Sequence, residues 1–330
     1  MSQTPHPFAR FIAILGRGRN LTRPLTVEEA EQAMELILAG AVLPEQLGAF
    51  LMLLRVKEES PEEIAGFVRA VRKTLPNRQG ADIDFSSYAG KKRQLPWFLL
   101  AAFALAQSGR KVFMHGFDGH TPGRLYTGEV LQALGVARAQ NLAEAGAQLA
   151  QNNFAYLDLA AISPPLAKMM GFKPILGLRS PVHTIARMIN PFGAPCLLQG
   201  IFHPNYMATH SGAAKILGER NMIVFRGEGG EIERRPGKPC ETLGLRDGVP
   251  FEERWAPLME EPRQLPDDAM EPTKLLAVWR GEDNAYAQAA ITGTMALALK
   301  TSGAAPNQDK AQALAAQIWD ARDRDIWIKH

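Results

Sequence analysis

The stretch Val112-Phe-Met-His-Gly-Phe-Asp-Gly-His-Thr-Pro-Gly-Arg-Leu-Tyr-Thr-Gly-Glu-Val-Leu-Gln-Ala-Leu-Gly135 reads as strand, loop and helix in succession. Lys111 to Met114 is a strand that breaks at His115-Gly116. Gly116, Gly119, Pro122 and Gly123 make the next segment a loop, and a helix is expected from near Thr127 to its stop at Gly135. A strand feeding a helix through a glycine-rich loop aims backbone N–H groups and a positive helix end at one spot, which attracts anions. The loop also carries Arg124, His115 and His120. The alternative is a plain strand-to-helix turn, and the rest of the chain must decide.

On either side the same alternation continues. Upstream, Ile83-Asp-Phe85 reads as a short strand, Ser86 to Pro96 as a loop, and Trp97 to Ser108 as a strongly apolar helix. Downstream come a helix over Ala147 to Asn152, a strand over Phe154 to Leu157 and a buried strand Met222-Ile-Val-Phe225. Alternating apolar strands and helices predict an α/β fold with a mainly parallel sheet covered on both faces. Glu228 to Asp283, rich in Pro, Gly and acids, is expected to form loops, short edge strands and a connector. Ala285 to Leu299 and Gln308 to Arg322 read as closing helices.

The N-terminal part is different in kind. Thr26-Val-Glu-Glu29 and Ser60-Pro-Glu-Glu63 are capping boxes, in which a hydroxyl and a Glu satisfy each other's backbone amides. Apolar residues at helical spacing follow each: Val27, Ala30, Ala33, Met34, Ile37 and Leu38, then Ile64, Phe67, Val68 and Val71. Between them, Pro44 opens a helix carrying Leu47, Phe50, Leu51 and Leu54. Short connections make this a small helical domain. We place it at residues 1–78, joined by helices from about 165–190, with the α/β domain at 79–330.

Length and composition fit this plan: 330 residues, 46% hydrophobic and 22% charged, are ordinary for a globular chain with two domains. Cys196 and Cys240 show no C-x-x-C spacing, which argues against a disulfide scaffold or zinc site and fits a reducing cytoplasm. The apolar run Phe8 to Leu15 is broken by Arg10, so neither a signal peptide nor a membrane span is expected. The net charge is only +3, but it is segregated: residues 85–128 hold six bases against the single acid Asp118, and residues 159–227 seven against Glu219. Such segregation either builds a positive surface or is mixed away by folding.

Several motifs then resemble one family. Thr26-Val-Glu-Glu-Ala-Glu-Gln-Ala-Met34, Gln46-Leu-Gly-Ala-Phe-Leu-Met52 and Pro61-Glu-Glu-Ile-Ala-Gly66 are similar to the N-terminal helices of anthranilate phosphoribosyltransferases. His115-Gly116 followed by Val130-Leu-Gln-Ala-Leu-Gly135 resembles that family's His-Gly-Asn-Arg…Asp-Val-Leu-Glu-Ala-Leu-Gly segment, and Leu176-Gly-Leu-Arg179 through Asn190-Pro191 its Leu-Gly-Ile-Arg…Asn-Pro segment. The likeness runs from about Phe8 to Glu231 and continues weakly beyond. It implies a small helical domain on a large α/β domain, a phosphoribosyl pyrophosphate donor, magnesium, and a homodimer through the N-terminal helices.

The residues of the family's chemistry match poorly. Where the family has a Gly-Thr-Gly-Gly-Asp loop, whose backbone amides close on pyrophosphate, this chain has Ser86-Ser-Tyr-Ala-Gly-Lys-Lys-Arg93, keeping only Gly90. The family's Asn-x-Ser-Thr becomes Pro96-Trp-Phe-Leu99, and Asn-Arg after His-Gly becomes Phe117-Asp118. Lys173 stands for the arginine that meets the aromatic carboxylate, keeping the charge without the fork. The magnesium-holding Asp-Glu pair corresponds to Glu228-Gly-Gly-Glu231, leaving Glu228 and Glu231 as weak metal candidates.

Charge replaces the cradle. Lys91, Lys92, Arg93, Arg124, Lys168, Lys173, Arg179 and Arg187 are the expected phosphate contacts, with Tyr88, Gly90, His115, Gly116, Tyr126 and His183 lining the cleft. Flexible cationic heads suit a run of phosphates, as along a nucleic acid, and exposed Tyr88 or Tyr126 would stack bases. A YbiB-type branch of the family keeps the fold and dimer, lacks the catalytic motifs and binds nucleic acid without sequence preference. This chain resembles it in Leu15-Gly-Arg-Gly-Arg-Asn20 and in the lost loop. Three functions are therefore compared: a sequence-independent nucleic-acid binder without catalytic residues or cofactor; a transferase using magnesium and a phosphoribosyl pyrophosphate-type donor; and a protein–protein scaffold.

Overall fold

A computed structural model describes residues 5–18, 20–76, 80–260, 266–267 and 269–325. Arg19 and the expected boundary at 78–79 lie outside the described residues.

Four helices form the N-terminal bundle: α1 (Ala9–Gly16), α2 (Val27–Leu38), α3 (Pro44–Lys57) and α4 (Pro61–Lys73). Both capping boxes form. Glu29 N–H donates to Thr26 Oγ1 at 3.2 Å while Glu29 Oε2 accepts from Thr26 N–H at 2.9 Å. Glu63 makes the same exchange with Ser60. Its carboxylate also accepts from Leu25 N–H at 3.0 Å and Lys57 Nζ at 2.7 Å, so one buried acid holds the approach to α2 and the starts and ends of its neighbours. Gly66 lies directly against the Val27 carbonyl, and a Cβ there would collide with α2.

The sheet has seven strands: β1 (Ile83–Ser87), β2 (Val112–Gly116), β3 (Phe154–Asp158), β4 (Cys196–Ile201), β5 (Asn221–Arg226), β6 (Cys240–Arg246) and β7 (Val249–Trp255). Their order is β3-β2-β1-β4-β5-β6-β7. The first five are parallel, and β6 and β7 add an antiparallel hairpin at one edge. The helix entering after β1 is α5 (Phe98–Gln107); after β2 comes α6 (Thr127–Ala133), and α7 (Leu142–Asn152) leads to β3. Side chains alternate as strand geometry requires. Ile83, Phe85, Val112, Met114 and Leu198 join α5 and the helices Ala285–Thr301 and Gln308–Asp320 in one core. Phe113, Leu197, Met222 and Val224 join the bundle in the other.

Three strands differ from the sequence reading. β4 is absent from it, because Cys196-Leu-Leu-Gln-Gly-Ile201 is an unbroken buried run without alternation. The acidic stretch carries a hairpin of two seven-residue strands, β6 and β7, rather than short pieces. Chain order reverses between β1 and β4, so loops from the two strands diverge there and leave a crevice at their C-terminal ends.

Candidate functional site

Four strand ends build the crevice. β1 runs into Tyr88-Ala89-Gly90-Lys91, β2 into the Phe117–Tyr126 loop, β4 into Phe202-His203, and β5 into Gly227–Glu233. Gly90 takes φ +69°, and a Cβ there would meet the Tyr126 ring at 2.8 Å. Lys91 and Leu125 exchange backbone hydrogen bonds of 2.8 Å, tying the loops after β1 and β2 together.

The backbone donors of this crevice are occupied by the chain's own carboxylates. Glu231 Oε1 accepts from Ala89 N–H at 2.7 Å and Gly90 N–H at 2.5 Å. Glu233 Oε2 accepts from Phe98 N–H at 3.0 Å, at the start of α5, and its other oxygen meets Lys91 Nζ at 2.5 Å. Asp118 Oδ1 accepts from Gly128 N–H at 3.2 Å, in the first turn of α6. Helix N-termini and paired loop amides are natural anion sites, and here three acids fill them. Burial raises Glu233 despite Lys91, and burial pushes Asp118 up to about 6.

Above this floor opens a cavity of about 440 Å³. Arg124, Lys173, Arg179 and Arg187 line it from the α/β side, and the bundle adds Arg55 and Glu59. Arg124 Nη1 donates to the carbonyls of Ala89 and Gly90 at 2.9 Å and lies 3.4 Å from that of Gly229. Arg187 donates to Gly200 O at 3.2 Å and His183 O at 2.8 Å. Arg179 donates to Thr121 Oγ1 at 3.0 Å, and Arg55 to the Tyr206 hydroxyl at 2.8 Å. Burial lowers Arg179 and Arg187, a strain that an entering anion would relieve. Burial also takes His183 well below its ordinary value, His120 to about 4 and His210 to about 3, so these imidazoles are neutral donors or acceptors at pH 7. His183 Nδ1 is buried with no partner. Burial pushes Glu59, the acid of the cavity wall, up to about 7.

The expected contacts therefore divide. Arg124, Lys173, Arg179, Arg187 and His183 come together around one cavity. Lys92, Arg93 and Lys168 are exposed but do not line it. Lys91 is a correction: it is 1% exposed and bound to Glu233, so it supports the fold and meets no phosphate. Tyr88 and Tyr126 are also corrected, since both are buried and offer no stacking face. Tyr88's hydroxyl lies 2.6 Å from His115 Nδ1, and His115 Nε2 lies 3.1 Å from Asp84, which makes His115 an interior link; Gly116 ends β2 beneath it. Gly90 contributes its amide, as a donor to Glu231. Glu231 does not fit magnesium, because its Oε1 faces the positive ends of two N–H dipoles and those would repel a cation, so Glu228 and Glu231 do not make a metal pair. The sequence reading missed Glu233, Arg55, Glu59, Phe202 and His203. No local pattern marks any of them; each is brought in by a contact distant in sequence.

Known proteins resemble this chain in sequence and fold. Residues 9–75 match the helical bundle domain of the glycosyl transferase family. The chain is 29% identical to the anthranilate phosphoribosyltransferase of Moorella thermoacetica over 323 residues, covering 90% of each protein. It is 28% identical to the uncharacterized protein YbiB of Escherichia coli K12, covering 73% of this chain and 76% of YbiB. The crystal structure of anthranilate phosphoribosyltransferase from Thermus thermophilus superposes with a TM-score of 0.78 at 22% identity, covering 96% of this chain and 94% of that one. The chain is thus similar in sequence to anthranilate phosphoribosyltransferases and shares their fold. In this chain the helical bundle and mixed sheet follow the shared fold, while the crevice floor carries Glu231, Glu233 and Asp118 against its amides.

Proposed function

We propose that this chain is a non-catalytic, sequence-independent nucleic-acid binder that takes backbone phosphates of a single strand into the cationic cavity. One observation carries the reading. Five cations, Arg55, Arg124, Lys173, Arg179 and Arg187, surround about 440 Å³ against the one carboxyl of Glu59, while the adjoining amide donors are already satisfied by internal acids. Side-chain cations tolerate many phosphate geometries and neutralise charge without reading bases. A phosphoribosyl pyrophosphate donor would instead have to displace Glu231, Glu233 or Asp118 from hydrogen-bonded positions.

The likeness to an anthranilate phosphoribosyltransferase over nine-tenths of the chain favours the competing transferase reading. Polarisation titration of a labelled single strand across a salt series separates the two. Log affinity falling linearly with log salt supports strand binding, with a slope of about −0.7 per phosphate neutralised. Saturable, magnesium-dependent binding of phosphoribosyl pyrophosphate, with no salt-dependent strand binding, would overturn it.

The same proposal includes a homodimer through the N-terminal helices and no cofactor. Leu43 and Val56 beside and on α3, with Ile175 and Leu178 from the α/β side, are exposed large apolar side chains of the kind such an interface covers. Sedimentation of the purified chain tests it. Unpaired, buried Cys196 and Cys240 suit a cytoplasmic setting.

A further inference from the structure

Phe202 is the one aromatic among the exposed large apolar side chains of the described residues, at 51% exposure. It stands where β4 ends, on the rim of the cationic cavity. Its Cβ is seated over Gly230, which a side chain there would crowd at 3.1 Å. The His203 ring meets it edge-on, with centroids 4.8 Å apart and planes at 81°. The rest of the 202–205 loop is exposed too, so solvent reaches this ring. Arg124, Arg179 and Arg187 line the same cavity.

Resting on the nucleic-acid reading above, we infer that Phe202 is a stacking platform for one unpaired base, and that it makes this site selective for single strands. A flat ring held beside guanidinium groups matches a nucleotide, which carries a π-face next to a phosphate. A duplex keeps its bases stacked on each other and offers only its phosphates, so it gains from the arginines and not from the ring. Phe202 thus separates ligands that the cations alone would treat alike. His203 braces the ring edge-on and leaves a face open to the base.

The test measures a fluorescein-labelled thymidine 20-mer and a 20-base-pair duplex against the full chain and two variants. Phe202→Ala removes the platform without removing charge. It should weaken the single strand on the order of tenfold, leave the duplex affinity alone, and keep the salt slope of the single strand. Phe202→Trp should restore the affinity. Its added indole should also be quenched by the strand, read as a difference from the unaltered chain, whose five tryptophans set the background. Equal weakening of strand and duplex, or no change in either, overturns the platform while leaving the cationic site standing. If the unaltered chain binds neither probe at low salt, the nucleic-acid reading falls and the platform with it.

Discussion

Replacing Glu231 with Ala empties a pair of backbone donors and turns them into a measurable anion site. Glu231 Oε1 takes two charge-assisted hydrogen bonds, from Ala89 and Gly90. Such bonds contribute roughly 1.5–3 kcal/mol each. Glu231 Oε2 is buried without a partner, a desolvation cost that places the net loss near the lower end, at about 3 kcal/mol. The vacated amides then face a small cavity bordered by Arg187, whose charge Glu231 also stabilises. Inorganic phosphate should enter it. At about 100 mM phosphate and a Kd of about 1 mM, linkage returns about 2.7 kcal/mol, nearly the whole loss. The assay is urea unfolding of wild type, Glu231→Ala and Glu231→Gln at constant ionic strength, with and without phosphate. The Ala variant should be destabilised without phosphate and largely recover with it. Wild type should respond less, and Gln, which keeps the volume, should respond little. If phosphate stabilises all three equally, the carboxylate does not occupy an anion site.

Three further outcomes are expected. Glu233→Gln leaves the Lys91 ammonium buried and uncompensated and should cost about 3–5 kcal/mol in urea unfolding, whereas Lys91→Met with Glu233→Gln should cost less than Glu233→Gln alone. Arg179→Gln should lower the salt slope of single-strand binding by about one phosphate's worth; an unchanged slope removes Arg179 from the contact set. Glu59 has a folded value of about 7, above its ordinary carboxylate value, so the fold prefers its neutral form. Its contribution is complete at low pH and is lost as pH rises through 7, a change on the order of 3 kcal/mol. Stability followed from pH 5 to 8 should therefore decline less for Glu59→Gln than for wild type.

Local chemistry makes the bundle legible. The capping boxes at Thr26 and Ser60 need only residues three apart, and both form as read. The strand, loop and helix from Val112 to Gly135 are visible for the same reason, through glycines and apolar spacing. The crevice follows less well. Lys91 reads as a free base in Lys91-Lys-Arg93, yet its partner Glu233 lies 142 positions away. Tyr88 and Tyr126 sit among bases in sequence, but burial depends on how loops close over them, here the loops after β1 and β2 joined at Lys91 and Leu125. Glu231 reads as a fragment of a metal pair because spacing alone does not give the direction of a carboxylate. Arg124, Arg179 and Arg187 reach the cavity because each lies in a segment whose likeness to the family fixes its place.

The Lys91–Glu233 pair also shapes how this sequence can change. Losing either partner strands the other's charge in the interior, so each single step is penalised, and the neutral exit requires both codons to change together. Glu233 further holds the first amide of α5, so even the double change must supply a new acceptor. The crevice floor behaves as a mutational ratchet. Drift is freer at exposed positions outside the cavity, such as Lys92 and Arg93, and blocked at the floor, which directs any new ligand preference to the surface.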